Sequence, residues 1–295
     1  MSNAIEMRGV IKKFSRFALG PVDLTVPRGA IYGLIGPNGA GKTTTIDMIF
    51  GLGRNDAGTI QVLGFDHRAD AVQLKQRTAY VSPELNFQIW SKVGNAVRFV
   101  RGFYPGWDDA YCTELMKAFR LAASDRIATL STGAKTKLSL LLAMARRPEV
   151  LVMDEPVNGL DPIAKQFLFG ELLKVVQDDR HAVLISSQNL PDLERFADHV
   201  GLLKGGQLLL EGRIDEIVER YRLTEFFTPD GATLENPPPL GLRILRGEDN
   251  RWRALVDQRS EVPRWLKAQG VQDVSQVKLT LEDLFVALVK EEEGS

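Results

Sequence analysis

Gly36-Pro37-Asn38-Gly39-Ala40-Gly41-Lys42-Thr43-Thr44 is the stretch that decides the fold of this chain. The apolar run Ala30-Ile31-Tyr32-Gly33-Leu34-Ile35 leads into it, and Thr45-Ile46-Asp47-Met48-Ile49-Phe50, with helical spacing, leads out. Strand, glycine-rich loop and helix in that order make a phosphate-binding loop. The glycines let backbone N–H groups turn inward and approach a phosphate without a Cβ in the way. The helix start adds a favourable dipole for an anion. Lys42 can set an ammonium on the β- and γ-phosphates of a nucleotide, and Thr43 can offer its hydroxyl to Mg²⁺. A glycine-rich turn before an unrelated helix would not need all the fixed positions at once.

The second informative stretch is Val150-Leu151-Val152-Met153-Asp154-Glu155-Pro156. Four apolar residues suit a buried parallel strand, and the strand delivers its last residues to the carboxyl edge of the sheet, where open α/β folds bind ligands. Asp154 is placed to hold Mg²⁺, directly or through water. Glu155 is placed to orient and polarise an attacking water. Upstream, Leu130-Ser131-Thr132-Gly133-Ala134-Lys135 opens an apolar helix over 138–145. Ser131 is a good N-cap, and its hydroxyl with the Gly133 amide forms an anion site at a helix start.

These motifs, followed by Asn158-Gly159-Leu160-Asp161-Pro162 and by a strand ending Ser186-Ser187-Gln188, resemble the ATP-binding cassette ATPases of ABC transporters. The likeness covers roughly residues 4–215. It implies that two cassettes pack head to tail, each ATP lying between the phosphate loop of one and the Ser131–Gly133 signature of the other. It also implies that the segment holding Asp161 joins the two sites, that Phe14 stacks on adenine, and that ATP and Mg²⁺ are the ligands.

The chain departs from that family's pattern in its signature, where Thr132 and Ala134 replace a glycine and a glutamine. Ser131 and Gly133 are kept. The loop that senses Mg²⁺ and the transporter reads Tyr80-Val81-Ser82-Pro83-Glu84, so Glu84 is the candidate acid, one residue late. Gln188 stands where the family carries a histidine against the γ-phosphate. An amide can donate a hydrogen bond there but cannot carry charge. Charge-assisted bonds are about twice as strong, so slower hydrolysis is expected than in a histidine-bearing relative.

Composition is ordinary for a soluble globular protein: 295 residues, 44% hydrophobic and 25% charged. A net charge of −1 argues against broad binding of nucleic acid. Cys112 is the single cysteine, which fits a reducing cytosol. The first residues do not read as a signal peptide, and the longest apolar run is too short to span a bilayer. A membrane role therefore calls for a partner.

The expected fold is α/β, a P-loop NTPase core with a β-rich N-terminal edge, a helical subdomain over about 85–145 and a small α+β C-terminal tail. The boundary falls at 220/221, with Pro237-Pro238-Pro239, Gly231, Gly241 and Gly247 marking a linker or irregular stretch. Beyond it 253–256, 262–269, 272–279 and 281–289 read as strand, helix, strand, helix. The segments Arg101-Gly102-Phe103-Tyr104-Pro105-Gly106-Trp107-Asp108 and Leu281-Glu282-Asp283-Leu284-Phe285 resemble bacterial exporter ATPases of antibiotic or peptide export. That likeness implies a subunit on the inner face of the cell membrane, held there by a separate transmembrane permease, with a second ATP-binding subunit as homodimer or heterodimer partner. The alternative is an ATPase of this type acting with a soluble partner in regulation. A GTPase or small-molecule kinase fits less well, since no Asn-Lys-x-Asp guanine motif is present.

Overall fold

The computed structural model describes residues 3–82, 88–188, 190–229, 240–248 and 250–289. The chain forms two compact units, one running to residue 211 apart from 190–194, the other made of 190–194 and the chain from 212 on.

The first unit holds two sheets. β1 (Asn3–Lys13), β2 (Ala18–Pro27), β4 (Ala57–Val62) and β5 (Phe65–Asp66) form an antiparallel sheet in the order β2-β1-β4-β5. β2 alternates buried and exposed residues, as a strand with one wet face must. The central sheet has six strands in the order β10-β9-β3-β8-β7-β6. These are β3 (Ile31–Ile35), β6 (Thr78–Val81), β7 (Val150–Asp154), β8 (Ala182–Ser187), β9 (His199–Lys204) and β10 (Gln207–Arg213). β6, β7, β8, β3 and β9 run parallel. Every residue of β3, β7 and β8 is buried, which explains their unbroken apolar runs.

Helix α1 (Lys42–Ile49) contributes Ile46 and Met48 to a core shared with Met7, Leu24 and Ile60 of the first sheet and Leu34 and Val152 of the second. α2 (Ala71–Arg77) precedes β6. The segment from 88 to 145 is mainly helical, with α3 (Val93–Arg101), α4 (Asp109–Phe119) and α5 (Thr132–Met144) and short 3₁₀ turns at Gln88–Trp90 and Ile127–Thr129. α5 is buried from Leu138 to Met144. α6 (Pro162–Val176) crosses over between β7 and β8, and α7 (Leu190–Phe196) follows β8.

The second unit is richer in structure than its sequence suggests. α8 (Ile214–Arg220) runs directly into β11 (Tyr221–Phe227), a strand absent from the sequence reading. β12 (Leu242–Glu248), β13 (Arg251–Asp257) and β14 (Gln272–Lys278) complete a sheet in the order β12-β13-β11-β14, with α9 (Val262–Ala268) and α10 (Leu281–Val289). Phe226, Ala254, Val256, Val262 and Leu266 make its core. Gly247, read as a linker glycine, lies inside β12, where a Cβ would come to 2.4 Å from the Trp252 ring. Its bare backbone is a packing requirement. Pro237, Pro238, Pro239 and Gly231 lie outside the described residues.

Candidate functional site

The strand register assembles the site. Ile35, which ends β3, lies beside Ser187 of β8, and Asp154, which ends β7, lies beside Ser186. Three adjacent parallel strands therefore deliver the phosphate loop, the two acids and Gln188 to one carboxyl edge.

In the loop, Gly41 has φ 108° as the N-cap of α1. A Cβ on it would come to 2.6 Å from Leu19 and 3.1 Å from the Phe17 ring. At Gly36 a Cβ would come to 2.4 Å from the Leu203 carbonyl oxygen, so both glycines are required by close packing. Asn38 and Gly39 are exposed at the tip, Pro37 and Thr44 are half-buried, and Ala40 is buried. Lys42 turns back into the loop. Its Nζ donates to the carbonyls of Gly36 (2.8 Å) and Pro37 (3.3 Å) and lies 3.7 Å from Glu155 Oε1. Burial lowers the Lys42 pKa, and the neighbouring Glu155 and Asp154 oppose that shift.

Thr43 Oγ1 donates to Asp154 Oδ2 at 2.7 Å, and the Ser186 hydroxyl donates to Asp154 Oδ1. Glu155 follows with φ 47°, unusual for a residue with a side chain. Its backbone N–H donates to Ser186 Oγ at 3.0 Å. Its carboxylate accepts from Gln188 Nε2 at 3.2 Å and, at 3.5 Å, from Asn158 Nδ2. Gln188 is exposed at the edge of the site. A hydroxyl and a carboxylate side by side are the hard oxygen donors that suit Mg²⁺, which takes one or two protein ligands and completes its shell with phosphate and water. The residues fit that ion.

A second cluster lies at the start of α5. Ser131 is exposed and caps the helix, accepting from the Ala134 N–H at 3.2 Å. Gly133 packs against the loop after Glu155: a Cβ on it would come to 2.1 Å from the Gly159 carbonyl oxygen. Asp161 caps α6 by accepting from the Ala164 N–H at 2.9 Å, and it pairs with Lys137 of α5 at 2.6 Å. The Lys137 bond, with the backbone bond behind it, lowers the Asp161 carboxyl to about 2. Within one chain Asp161 thus ties α5 to α6.

Phe14 is exposed, its ring 6.2 Å from that of Phe17, and Lys12 Nζ stands 5.7 Å from its centroid. Since Phe17 packs on Gly41, Phe14 stands close to the phosphate loop. Glu84 lies outside the described residues. The sequence reading missed Phe17, Lys137 and the role of Ser186. Only Ser186 left a signal, a hydroxyl residue ending the apolar run of β8.

The family model described as ABC transporter matches residues 19–158. The ABC transporter ATP-binding protein YtrB of Bacillus subtilis is 32% identical over 218 residues, 74% of each chain. The daunorubicin/doxorubicin resistance ATP-binding protein DrrA of Streptomyces peucetius is 29% identical over 97% of this chain and 92% of its own length. The bacitracin transport ATP-binding protein BcrA of Enterococcus faecalis is 32% identical over 78% of this chain and 76% of its own. Among solved structures, an ATP-binding subunit of an ABC transporter superposes with a TM-score of 0.67 at 28% identity, covering 73% of this chain and 92% of that one.

Proposed function

The chain belongs to the ATP-binding proteins of ABC transporters, and we propose that it works as a homodimer powering an exporter permease. One observation carries the ATPase reading. Lys42, Thr43, Asp154 and Glu155 converge at the carboxyl edge of three adjacent strands, linked by contacts of 2.7 Å (Thr43 to Asp154) and 3.7 Å (Lys42 to Glu155).

The chain's residues divide the work. The loop amides from Gly36 to Thr44 cradle the phosphates, and Lys42, on leaving its carbonyl partners, is the cation for the β- and γ-oxygens. Mg²⁺ held by Thr43 and Asp154 would neutralise charge on those oxygens. Glu155 orients a water and accepts its proton as the water oxygen attacks the γ-phosphorus. The bond to the β–γ bridging oxygen breaks, releasing ADP and inorganic phosphate. Gln188 holds the Glu155 carboxylate and offers the γ-phosphate a neutral donor. Phe14 covers the adenine, and Glu84 answers to Mg²⁺ and the permease.

Ser131 and Gly133 present a helix start suited to an anion. One chain carries both kinds of half-site, which favours two copies head to tail with two equal sites. Asp161, beside the Gly133–Gly159 contact, links them. Residues 1–220 are read as the ATP-binding domain and 221–295 as an accessory tail.

The export reading draws on relatives named for drug resistance and bacitracin transport. Among the described residues no helix is long and apolar enough to cross a membrane. The permease contact is assigned to a groove of about 360 Å³ lined by Tyr80, Phe99, Phe103, Tyr104, Leu142 and Arg146. Phe99 and Phe103 are exposed there, and an apolar patch of this kind marks an interaction surface. The subunit is then peripheral on the cytoplasmic face of the membrane. Isolation of the native complex tests this reading. A polytopic membrane protein that stimulates phosphate release supports it, and a soluble partner alone contradicts it.

A further inference from the structure

We propose that Ser186 is a positioning residue for hydrolysis, its single hydroxyl fixing the Asp154 side chain and the Glu155 main chain together. The proposal rests on the reading of this site as a Mg²⁺-dependent ATPase.

The directions of the bonds follow from the groups themselves. An ionised carboxylate only accepts, so the one Ser186 proton goes to Asp154 Oδ1. The Glu155 N–H only donates, so it takes a lone pair of the same oxygen, at 3.0 Å. Thr43 donates to the other Asp154 oxygen. The carboxylate plane is therefore gripped from two sides, by the phosphate loop and by β8.

Glu155 sits at φ 47°, a conformation that persists in a side-chain-bearing residue only where its surroundings hold it. Its N–H anchor is Ser186, and two residues on, Gln188 meets its carboxylate. The end of β8 thus touches both main chain and side chain of the candidate base. Ser186 is fully buried and directly opposite Asp154 in the ladder. A hydroxyl in such a place is costly unless bonded, and both of these bonds go to the acids. Alanine there would satisfy the strand as well as Ala182 does, so the strand itself has no need of the oxygen.

The test compares wild type with Ser186→Ala and Ser186→Cys. Nucleotide affinity is measured with a chelator and across a Mg²⁺ titration, beside steady-state phosphate release and melting temperature. Ser186→Ala is expected to leave affinity in chelator unchanged, to raise the Mg²⁺ midpoint severalfold and to lower kcat about tenfold, the scale of one lost buried bond. Ser186→Cys keeps the volume with a weak donor and is expected to match the alanine variant. A wild-type Mg²⁺ midpoint and kcat in the alanine variant would overturn the proposal. So would wild-type behaviour of the cysteine variant, or an equal loss of affinity with and without Mg²⁺. Wild-type protein that binds no ATP at any Mg²⁺ concentration would instead sink the ATPase reading itself.

Discussion

The phosphate-loop half-site and the signature half-site differ in what they leave available. The first gathers a buried lysine, a threonine and two acids whose present partners all lie within the site: Lys42 rests on the Gly36 and Pro37 carbonyls, Thr43 on Asp154, and Glu155 on Gln188. Those groups can be drawn off by phosphate and metal. The second spends its charge on structure, with Asp161 committed to Lys137 and to the start of α6. It shows solvent Ser131 at a helix N-terminus, beside the exposed Gly159 and Asp161. One region is equipped for chemistry and the other only for contact, the division of labour expected if a complete site takes one surface from each of two chains.

Substitutions in the first region should act on chemistry and affinity, and those in the second on turnover alone. The largest effect is expected at Glu155→Gln, which removes the base and should slow phosphate release by about 10²–10⁴-fold while ATP still binds. Wild-type turnover would make Glu155 structural. Lys42→Ala removes a charge-assisted contact and should weaken ATP binding by about 1.5–3 kcal/mol, roughly 10- to 150-fold. Equilibrium titration checks it.

The second region is probed by Gly133→Val. Its side chain would collide with the Gly159 carbonyl and displace the loop carrying Asn158 and Asp161. A strain of about 1–2 kcal/mol predicts a loss of roughly 5- to 30-fold in turnover with ATP affinity kept. Loss of affinity would erase the distinction between the regions. Gln188→His tests the neutral donor: a charge-assisted bond should raise kcat by about 1 kcal/mol, roughly fivefold, with affinity unchanged. An unchanged or slower variant would show that Gln188 serves fully. The smallest effect is expected from truncation after Arg220, which removes only the accessory tail and should leave ATP affinity as it is.

Most of the first region is legible in the sequence because backbone geometry dictates it. Glycines that must approach phosphate, a lysine and a threonine at fixed offsets, and acids after a buried run leave few other arrangements. Lys137 is not legible and Ser186 only faintly so, since a lysine on a helix has many ordinary roles and a hydroxyl ending an apolar run does not say what it bonds. Only register places Ser186 opposite Asp154, and only tertiary packing brings Lys137 to Asp161. The second unit was partly legible. Short strands 253–256 and 272–279 show through, but β11 was missed because nothing before its Tyr221 start breaks the helical pattern of α8.

The central claim is that ATP joins two copies of this chain through unlike half-sites. Its most direct test is the mass in solution of Glu155→Gln with saturating Mg²⁺·ATP, by light scattering, beside the same protein carrying Gly133→Val. The account predicts twice the single-chain mass for the first and a mass shifted toward the single chain for the second, with ATP bound in both. Glu155→Gln that holds ATP yet remains a single chain would contradict it.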